Sequence, residues 1–173
     1  MMDPFRQAFI QKIQNVFTTQ LENDQIFVET APRYFDADAA KSELFFSNWC
    51  DIPLEVLVRH RNHFAYLNVC GFHFYLPAIL TACILHTDEV DTLVTNVEFD
   101  LTPPKPNQTV YPIFQARADT FTPDECAVIA SYFENHADLF PTDYWKMKET
   151  ERIKALIFWQ TKADEPHCGP HET

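Results

Sequence analysis

The chain has 173 residues, of which 46% are apolar and 22% charged, values typical of one globular domain with a buried core. Its formal net charge of −12 disfavours direct binding to nucleic acid or to anionic membrane surfaces, because both need a basic protein face. The only two glycines, Gly71 and Gly169, lie too far apart for a phosphate-binding loop, which excludes the nucleotide-binding folds built on such loops and disfavours a compact all-β fold.

The cysteine pattern indicates a reduced, cytoplasmic protein without a disulfide framework. The number of cysteines is odd, no C-x-x-C pair exists, and most lie among apolar residues, where a free thiol behaves as a small hydrophobic side chain. The sequence from Met1 lacks the basic-then-apolar pattern of a signal peptide. The cysteines are Cys50, Cys70, Cys83, Cys126 and Cys168.

Helical periodicity dominates the first third of the chain. Asp3 and Pro4 are suited to the N-cap and first position of a helix, and an apolar stripe follows at helical spacing as far as Phe17. After it the sequence predicts a short strand over 26–28, a helix over 36–46, a turn over 49–53 and a helix over 54–64.

The apolar run over 66–85 predicts a central helix that is buried on several sides. Asn68 is its expected N-cap, and Pro77 removes the backbone bond to the carbonyl of His73. The helix is therefore expected to kink at Pro77 or to divide there into two helices. Asn68, His73 and Pro77 also interrupt the run, which favours a buried helix over a membrane span.

The second half of the chain mixes helix and loop signals. Residues 97–101 alternate between apolar and acidic side chains, which predicts a short strand, and the prolines of 103–112 predict a loop. Thr122 and Glu125 have the spacing of a capping box at a helix start. A last helix is predicted over 143–160, followed by a polar tail.

These elements predict a mainly α fold. It is a compact bundle of about six helices around a Pro-kinked central helix, with at most a small β element. We expect one helical domain over residues 1–161 and a polar, disordered tail over 162–173.

Four segments occur in an order that resembles a known family. They contain W-x-D-[IL]-P, a helix similar to A-F-R-[FY]-Y-L-P-A-[FY]-L, L-x-P-P, and a segment similar to F-T-P-E-Q. In this chain the segments are Trp49–Glu55, Asn68–Leu80, Val97–Pro104 and Phe121–Glu125.

This ordered set resembles small bacterial proteins grouped as a domain of unknown function, family 6714, over residues from about 5 to about 136. The resemblance implies a helix-rich fold and a bacterial cytosolic protein, and it implies no activity, cofactor or site residue. The chain departs from the pattern at 68–73, where His73 replaces the usual arginine. A role of that arginine therefore does not carry over.

No catalytic, cofactor-binding or metal-binding residues are assigned from the sequence, and no cofactor is expected. His60 and His63 have the spacing of two metal ligands on one helix face, but Arg59 and Arg61 disfavour a cation there and favour a solvated face. The acidic residues of 88–91 could bind a hard cation, but they fit a helix start better.

The acidic charge, the scarce glycine and the missing catalytic set together favour a non-enzymatic interaction protein, of the immunity or accessory type, with a basic protein partner. Three aromatic residues, Trp49, Tyr111 and Tyr144, lie near loops, where such rings often anchor interfaces. The alternative, that these rings cover the rim of the core, stays open. The candidate interaction residues are Trp49, Asp51, Asp88, Glu89, Asp91 and Tyr111.

Two alternatives from other classes stay open. The first is a small enzyme with a site around Cys70, His73 and Tyr75, because a helix start lowers the pKa of a thiol and the histidine could serve as its base. The second is an acidic mimic of nucleic acid, which requires a regular row of carboxylates on one face. A deep pocket lined by Cys70, His73 and Tyr75 would favour the enzyme.

Overall fold

Helices provide all the regular secondary structure in the part of the chain that the computed structural model describes, residues 3–21, 26–28, 37–90, 92–140 and 147–165. The predicted mainly α fold is confirmed, and more helices form than were predicted. In chain order they are α1 (Pro4–Val16), α2 (Ala37–Leu44), α3 (Leu54–Arg59), α4 (Val69–Leu85), α5 (Leu93–Leu101), α6 (Tyr111–Ala118), α7 (Pro123–Glu134), α8 (His136–Leu139) and α9 (Glu149–Asp164), with 3-10 turns at Trp49–Asp51 and Phe64–Tyr66.

Helix α4 forms the centre of the structure, as the apolar run predicts. It is one helix that continues through Pro77 and does not divide there. Its start is capped as expected, because the Gly71 N–H donates to Asn68 Oδ1 at 2.8 Å. Leu76 is 0% exposed and Ala78 is 5% exposed, so the middle of α4 lies in the core. Helices α1, α3, α5 and α6 pack against it.

No helix within the described ranges combines the length and the apolar character that a bilayer crossing requires. Helix α4 has 17 residues, and its apolar surface is covered by protein.

The start of α4 is held against residues 26–28. The Asn68 N–H donates to Ile26 O at 2.8 Å, and Phe27 forms one antiparallel bridge with Leu67. The predicted strand over 26–28 is therefore a single bridge. A Cβ on Gly71 would stand 2.5 Å from Ile26 O, so only glycine permits this close approach of the two backbones.

The strand predicted over 97–101 is wrong, because these residues belong to α5. In a strand, Val97 and Phe99 would share the buried face; instead Phe99 is 73% exposed, whereas Glu98 is buried. His136 Nε2 lies 2.6 Å from Glu98 Oε1 and accounts for this burial. Because the buried face of α5 carries a glutamate and its exposed face carries a phenylalanine, the apolar residues do not follow the helical period.

Helix α6 is absent from the sequence prediction, which places a loop at the prolines of 103–112. Pro112 occupies the first turn of α6, where a missing N–H removes no intrahelical bond, so it begins a helix here. Phe114, Arg117 and Ala118 are buried on its inner side.

The other predicted elements differ mainly in their ends. Helix α3 ends at Arg59, so the predicted helix over 54–64 is too long; residues 60–63 form turns and the 3-10 turn begins at Phe64. The capping box of α7 is confirmed, with Glu125 N–H donating to Thr122 Oγ1 at 3.3 Å. Helix α9 extends to Asp164, beyond the predicted start of the tail at 162. The last tail residues, 166–173, lie outside the described residues.

Candidate functional site

Among the clefts on the surface of the described residues, two contain most of the candidate interaction residues or lie next to them in the chain. The first, named here the Trp49 cleft, has a volume of about 190 Å³ and is lined by Trp49, Cys50, Leu57, Leu85 and His86, among others. The second, named here the Arg117 cleft, has a volume of about 420 Å³ and is lined by Phe99, Asp100, Lys105, Val110, Arg117 and Lys154, among others.

A short turn between α2 and α3 builds one wall of the Trp49 cleft. Asn48 caps this turn, because its side chain accepts a hydrogen bond from the Cys50 N–H at 3.0 Å. Trp49 is 4% exposed, and its indole N–H donates to Phe17 O at 3.0 Å. Trp49, which was predicted to be exposed, is therefore buried in the core, and its hydrogen bond holds the turn against the end of α1.

Exposed carboxylates follow two lining residues of the Trp49 cleft in the chain, although the lining itself contains no lysine, arginine, aspartate or glutamate. Asp51 is exposed and follows the lining residue Cys50. Glu89 Oε1 lies 2.9 Å from Nδ1 of His86, which lines the cleft, and the neighbouring Asp88 is exposed. Three of the candidate residues thus lie within three positions in sequence of a residue that lines this cleft. Asp91 lies outside the described residues.

Tyr111 belongs to the other region of the molecule. It is the first residue of α6, is partly buried, and donates its hydroxyl to Gln115 Oε1 at 3.4 Å. The preceding residue, Val110, lines the Arg117 cleft. Tyr144 lies outside the described residues. The candidates predicted as one set therefore divide between two clefts.

A buried guanidinium dominates the Arg117 cleft. Arg117 is 6% exposed, and its Nη2 donates to Leu67 O at 2.6 Å and to Ala65 O at 3.1 Å. Its central carbon lies 4.4 Å from the centroid of the Phe72 ring, a favourable position for a cation over an aromatic face. Burial lowers the pKa of Arg117, and the nearby Asp100 opposes this shift.

The second titratable group of this cleft is Asp100. Burial raises the pKa of Asp100 to about 6, and Arg117 opposes the rise. The effect of Arg117 is smaller than that of burial, and Asp100 Oδ1 lies 3.8 Å from Arg117 Nη1, too far for a hydrogen bond. Sequence reasoning missed this pair because it placed Asp100 in a strand and assigned no secondary structure to Arg117. The spacing of Phe114, Arg117 and Ala118 is the signal that could have identified the helix.

The three residues of the alternative enzyme site have separate surroundings. Cys70 is exposed, whereas the Tyr75 side chain is fully buried and its hydroxyl donates to the Leu44 carbonyl. His73 Nε2 lies 2.9 Å from Glu125 Oε1 and so contributes to the start of α7. Neither of the two clefts is lined by any of the three.

The His60 and His63 pair differs from its predicted solvated face, because His60 is only 5% exposed. Its Nε2 lies 3.1 Å from Glu43 Oε2 and its Nδ1 lies 2.9 Å from His63 Nδ1. Burial, with His60 as a second cause, lowers the pKa of His63. Within the described ranges no group of three histidine, cysteine, aspartate or glutamate side chains has an arrangement that could hold a metal ion.

The fold and the two clefts define a mainly helical protein with small surface clefts. The sequence profile of a family of unknown function, DUF6714, matches residues 8–163, and the chain belongs to this family. The match extends well beyond the end of the resemblance near residue 136. No curated protein and no solved structure matches the chain.

Proposed function

We propose that the protein is a non-enzymatic cytoplasmic binding module, of the immunity or accessory type, that recognises a basic partner protein through the Trp49 cleft. One observation carries the proposal. The cleft lining combines apolar and polar side chains without any lysine, arginine, aspartate or glutamate, and exposed carboxylates follow two of its lining residues in the chain.

This combination matches the chemistry of a lysine or arginine side chain. Such a side chain has an apolar stem and a charged head, and it packs the stem on apolar surface while the head stays in water. Leu57 and Leu85 would contact the stem, and Asp51 and Glu89 would lie near the head. The volume of about 190 Å³ suits one inserted side chain, since small-molecule pockets usually exceed roughly 300 Å³.

The charge of the chain supports the same partner at longer range. A net charge of −12 attracts a cationic protein before contact and raises its association rate, an effect that salt weakens. The rim carboxylates would then orient the encounter, because charges at an interface determine register and specificity more than raw affinity.

The thiol in the Trp49 cleft supports binding over catalysis. Burial raises the pKa of Cys50, and the neighbouring Asp51 raises it further. The thiol therefore stays protonated at neutral pH, and a protonated thiol is a poor nucleophile. The contacts described above give no comparable support to an enzyme site at Cys70, His73 and Tyr75 or to a nucleic-acid mimic.

The test uses a short synthetic peptide of alternating leucine and lysine, and a matched peptide with glutamate in place of lysine, titrated into the isotope-labelled protein. We expect the cationic peptide alone to shift the Trp49 indole and His86 resonances, with weaker binding at high salt. The triple variant D51K/D88K/E89K should lose this binding.

The matched control reverses three exposed carboxylates on other helices, Glu134, Asp138 and Asp164, to lysine. This control makes the same change in net charge and should keep most of the affinity. Equal losses in the two variants would show general charge attraction without a docking cleft. A cationic peptide that leaves the Trp49 and His86 resonances unchanged would also contradict the proposal.

A further inference from the structure

We infer that the Arg117 cleft is a separate binding site for a small organic acid, a carboxylate carried on an apolar body. The inference does not depend on the proposed function, because the two clefts share no lining residue.

The guanidinium of Arg117 has fewer partners than its burial requires. Nη2 is satisfied by two backbone carbonyls, but among the described residues Nη1 has a single ionic neighbour, Asp100 Oδ1 at 3.8 Å. Nε is buried and has no hydrogen-bond partner among the described residues. A buried cation is costly unless hydrogen bonds and an opposite charge compensate its loss of water. An incoming carboxylate would supply a charge-assisted partner for this side chain.

The charges around the cleft favour an anion. Its lining contains the cations Lys105, Arg117 and Lys154 against the carboxyls Asp100 and Glu151, an excess of one positive charge in a chain of net charge −12. Lys154 lies 3.4 Å from Glu151, so this pair is largely neutral. Lys105 forms no ion pair with any described residue. It is therefore free to bind an anionic head group.

The walls of the cleft favour an apolar body behind the anionic head. Phe99 is 73% exposed and Val110 is 46% exposed, and both line the cleft beside Ile113 and Phe114. Large apolar side chains left in water are stabilised when a ligand covers them. The volume of about 420 Å³ lies within the usual range for small-molecule pockets, roughly 300–1,000 Å³.

Asp100 should couple binding to pH. Below its pKa of about 6 it is neutral, and the excess positive charge of the lining grows. Above that pH its carboxylate competes with the ligand for Arg117. Glu151, Lys154 and Lys105 also line the cleft. The charges of Glu151 and Lys154 balance each other, and Lys105 is positive. Binding should therefore be tightest between the ligand's own pKa, about 4–5, and about pH 6.

The test measures binding of decanoate, decanol and decyltrimethylammonium to the full chain by calorimetry and NMR at pH 5.5. The three probes share one tail and differ only in head-group charge. We expect decanoate to bind and to shift the resonances of Phe99 and Val110, decanol to bind roughly tenfold more weakly, and the cation not to bind.

Two variants and a control sharpen the test. K105E should weaken decanoate binding roughly tenfold, whereas K41E, the same charge change on α2, should leave it unchanged. D100N should bind more tightly than the native chain at pH 7.5 and should lose the pH dependence. Its folding is verified separately by circular dichroism.

Three results would overturn the inference. Equal affinity for decanoate and decanol would show an apolar groove without an anion site. Equal effects of K105E and K41E would show attraction by overall charge. The absence of decanoate binding at millimolar concentration and pH 5.5 would exclude a small organic acid as the ligand. That conclusion would hold even if a peptide with a free C-terminal carboxylate bound to the cleft.

Discussion

The Trp49 cleft and the Arg117 cleft offer opposite electrostatics on one acidic chain. The Trp49 cleft has no lysine, arginine, aspartate or glutamate in its lining and has carboxylates near it in the chain, whereas the Arg117 cleft has such charged groups in its lining and an excess of cations. Burial explains the difference. Two backbone carbonyls and the carboxylate of Asp100 accompany the buried Arg117, while the carboxylates near Trp49 stay in water.

The comparison shows that net charge does not describe a binding surface. A value of −12 predicts attraction of basic partners at long range, and it holds for the Trp49 cleft. The net charge predicts the wrong sign of charge for the lining of the Arg117 cleft, where a few fixed side chains control the local potential. Four predictions test this comparison, taken here from the largest expected effect on stability to the smallest.

The first prediction contrasts one aromatic wall residue from each cleft. Trp49 is 4% exposed and hydrogen-bonded, so W49A should reduce the free energy of unfolding by about 3–5 kcal/mol. Phe99 is 73% exposed, so F99A should change it by less than about 0.5 kcal/mol. Urea denaturation measures both values. Similar losses in the two variants would contradict the assignment of Trp49 to the core and Phe99 to a free surface.

The second prediction concerns the support that Arg117 gives to the 3-10 turn before α4. R117M should reduce the free energy of unfolding by about 2–4 kcal/mol, because the carbonyls of Ala65 and Leu67 lose their donor and Asp100 loses its cation. R117K keeps the charge but cannot span two carbonyls, so it should fall between R117M and the native chain. A native denaturation midpoint for R117M would show that the contacts are dispensable.

The third prediction follows from the raised pKa of Asp100. An acid whose pKa is higher in the folded state than in the unfolded chain binds more protons when folded, so its contribution lowers stability as pH rises from about 4 to 6. D100N removes this penalty. The variant should be more stable than the native chain by about 1–2 kcal/mol at pH 7.5 and equally stable at pH 4.

Thermal unfolding at several pH values measures this difference. Glu134 is exposed and belongs to neither cleft, so E134Q serves as the matched control and should show no such pH dependence. A D100N variant that is less stable than the native chain at pH 7.5 would mean that the attraction to Arg117 outweighs the burial of Asp100.

The smallest stability effect per substituted site among the variants of charged residues is expected for the triple variant D51K/D88K/E89K. These side chains are exposed, so the free energy of unfolding should change by no more than about 0.5 kcal/mol per site, even though binding of a cationic peptide is lost. Chemical denaturation of the variant separates the two effects. A large loss of stability would show that the carboxylates maintain the shape of the cleft. Peptide binding would then have to be measured with the three single variants.

Much of the fold is predictable because its signals are local. Asp3, Asn68 and Thr122 cap helices in the structure as their positions predict, and each cap depends only on residues within three positions of it. The burial of α4 follows from its unbroken apolar run. The site is less predictable, since Asp51 and Glu89 were identified as candidates but their position beside the same cleft depends on the packing of the turn at 49–51 against α4.

The sequence was sufficient for the helical class, for the central position of α4 and for its caps, because apolar period and cap chemistry act between near neighbours. The contacts of the buried polar and aromatic side chains depend on packing between segments that are distant in sequence. This packing made Glu98 a buried partner of His136, turned Trp49 inward, and brought Arg117 to the carbonyls of Ala65 and Leu67. A polar side chain becomes buried only when a remote segment supplies its partner, and no local pattern records where that partner lies.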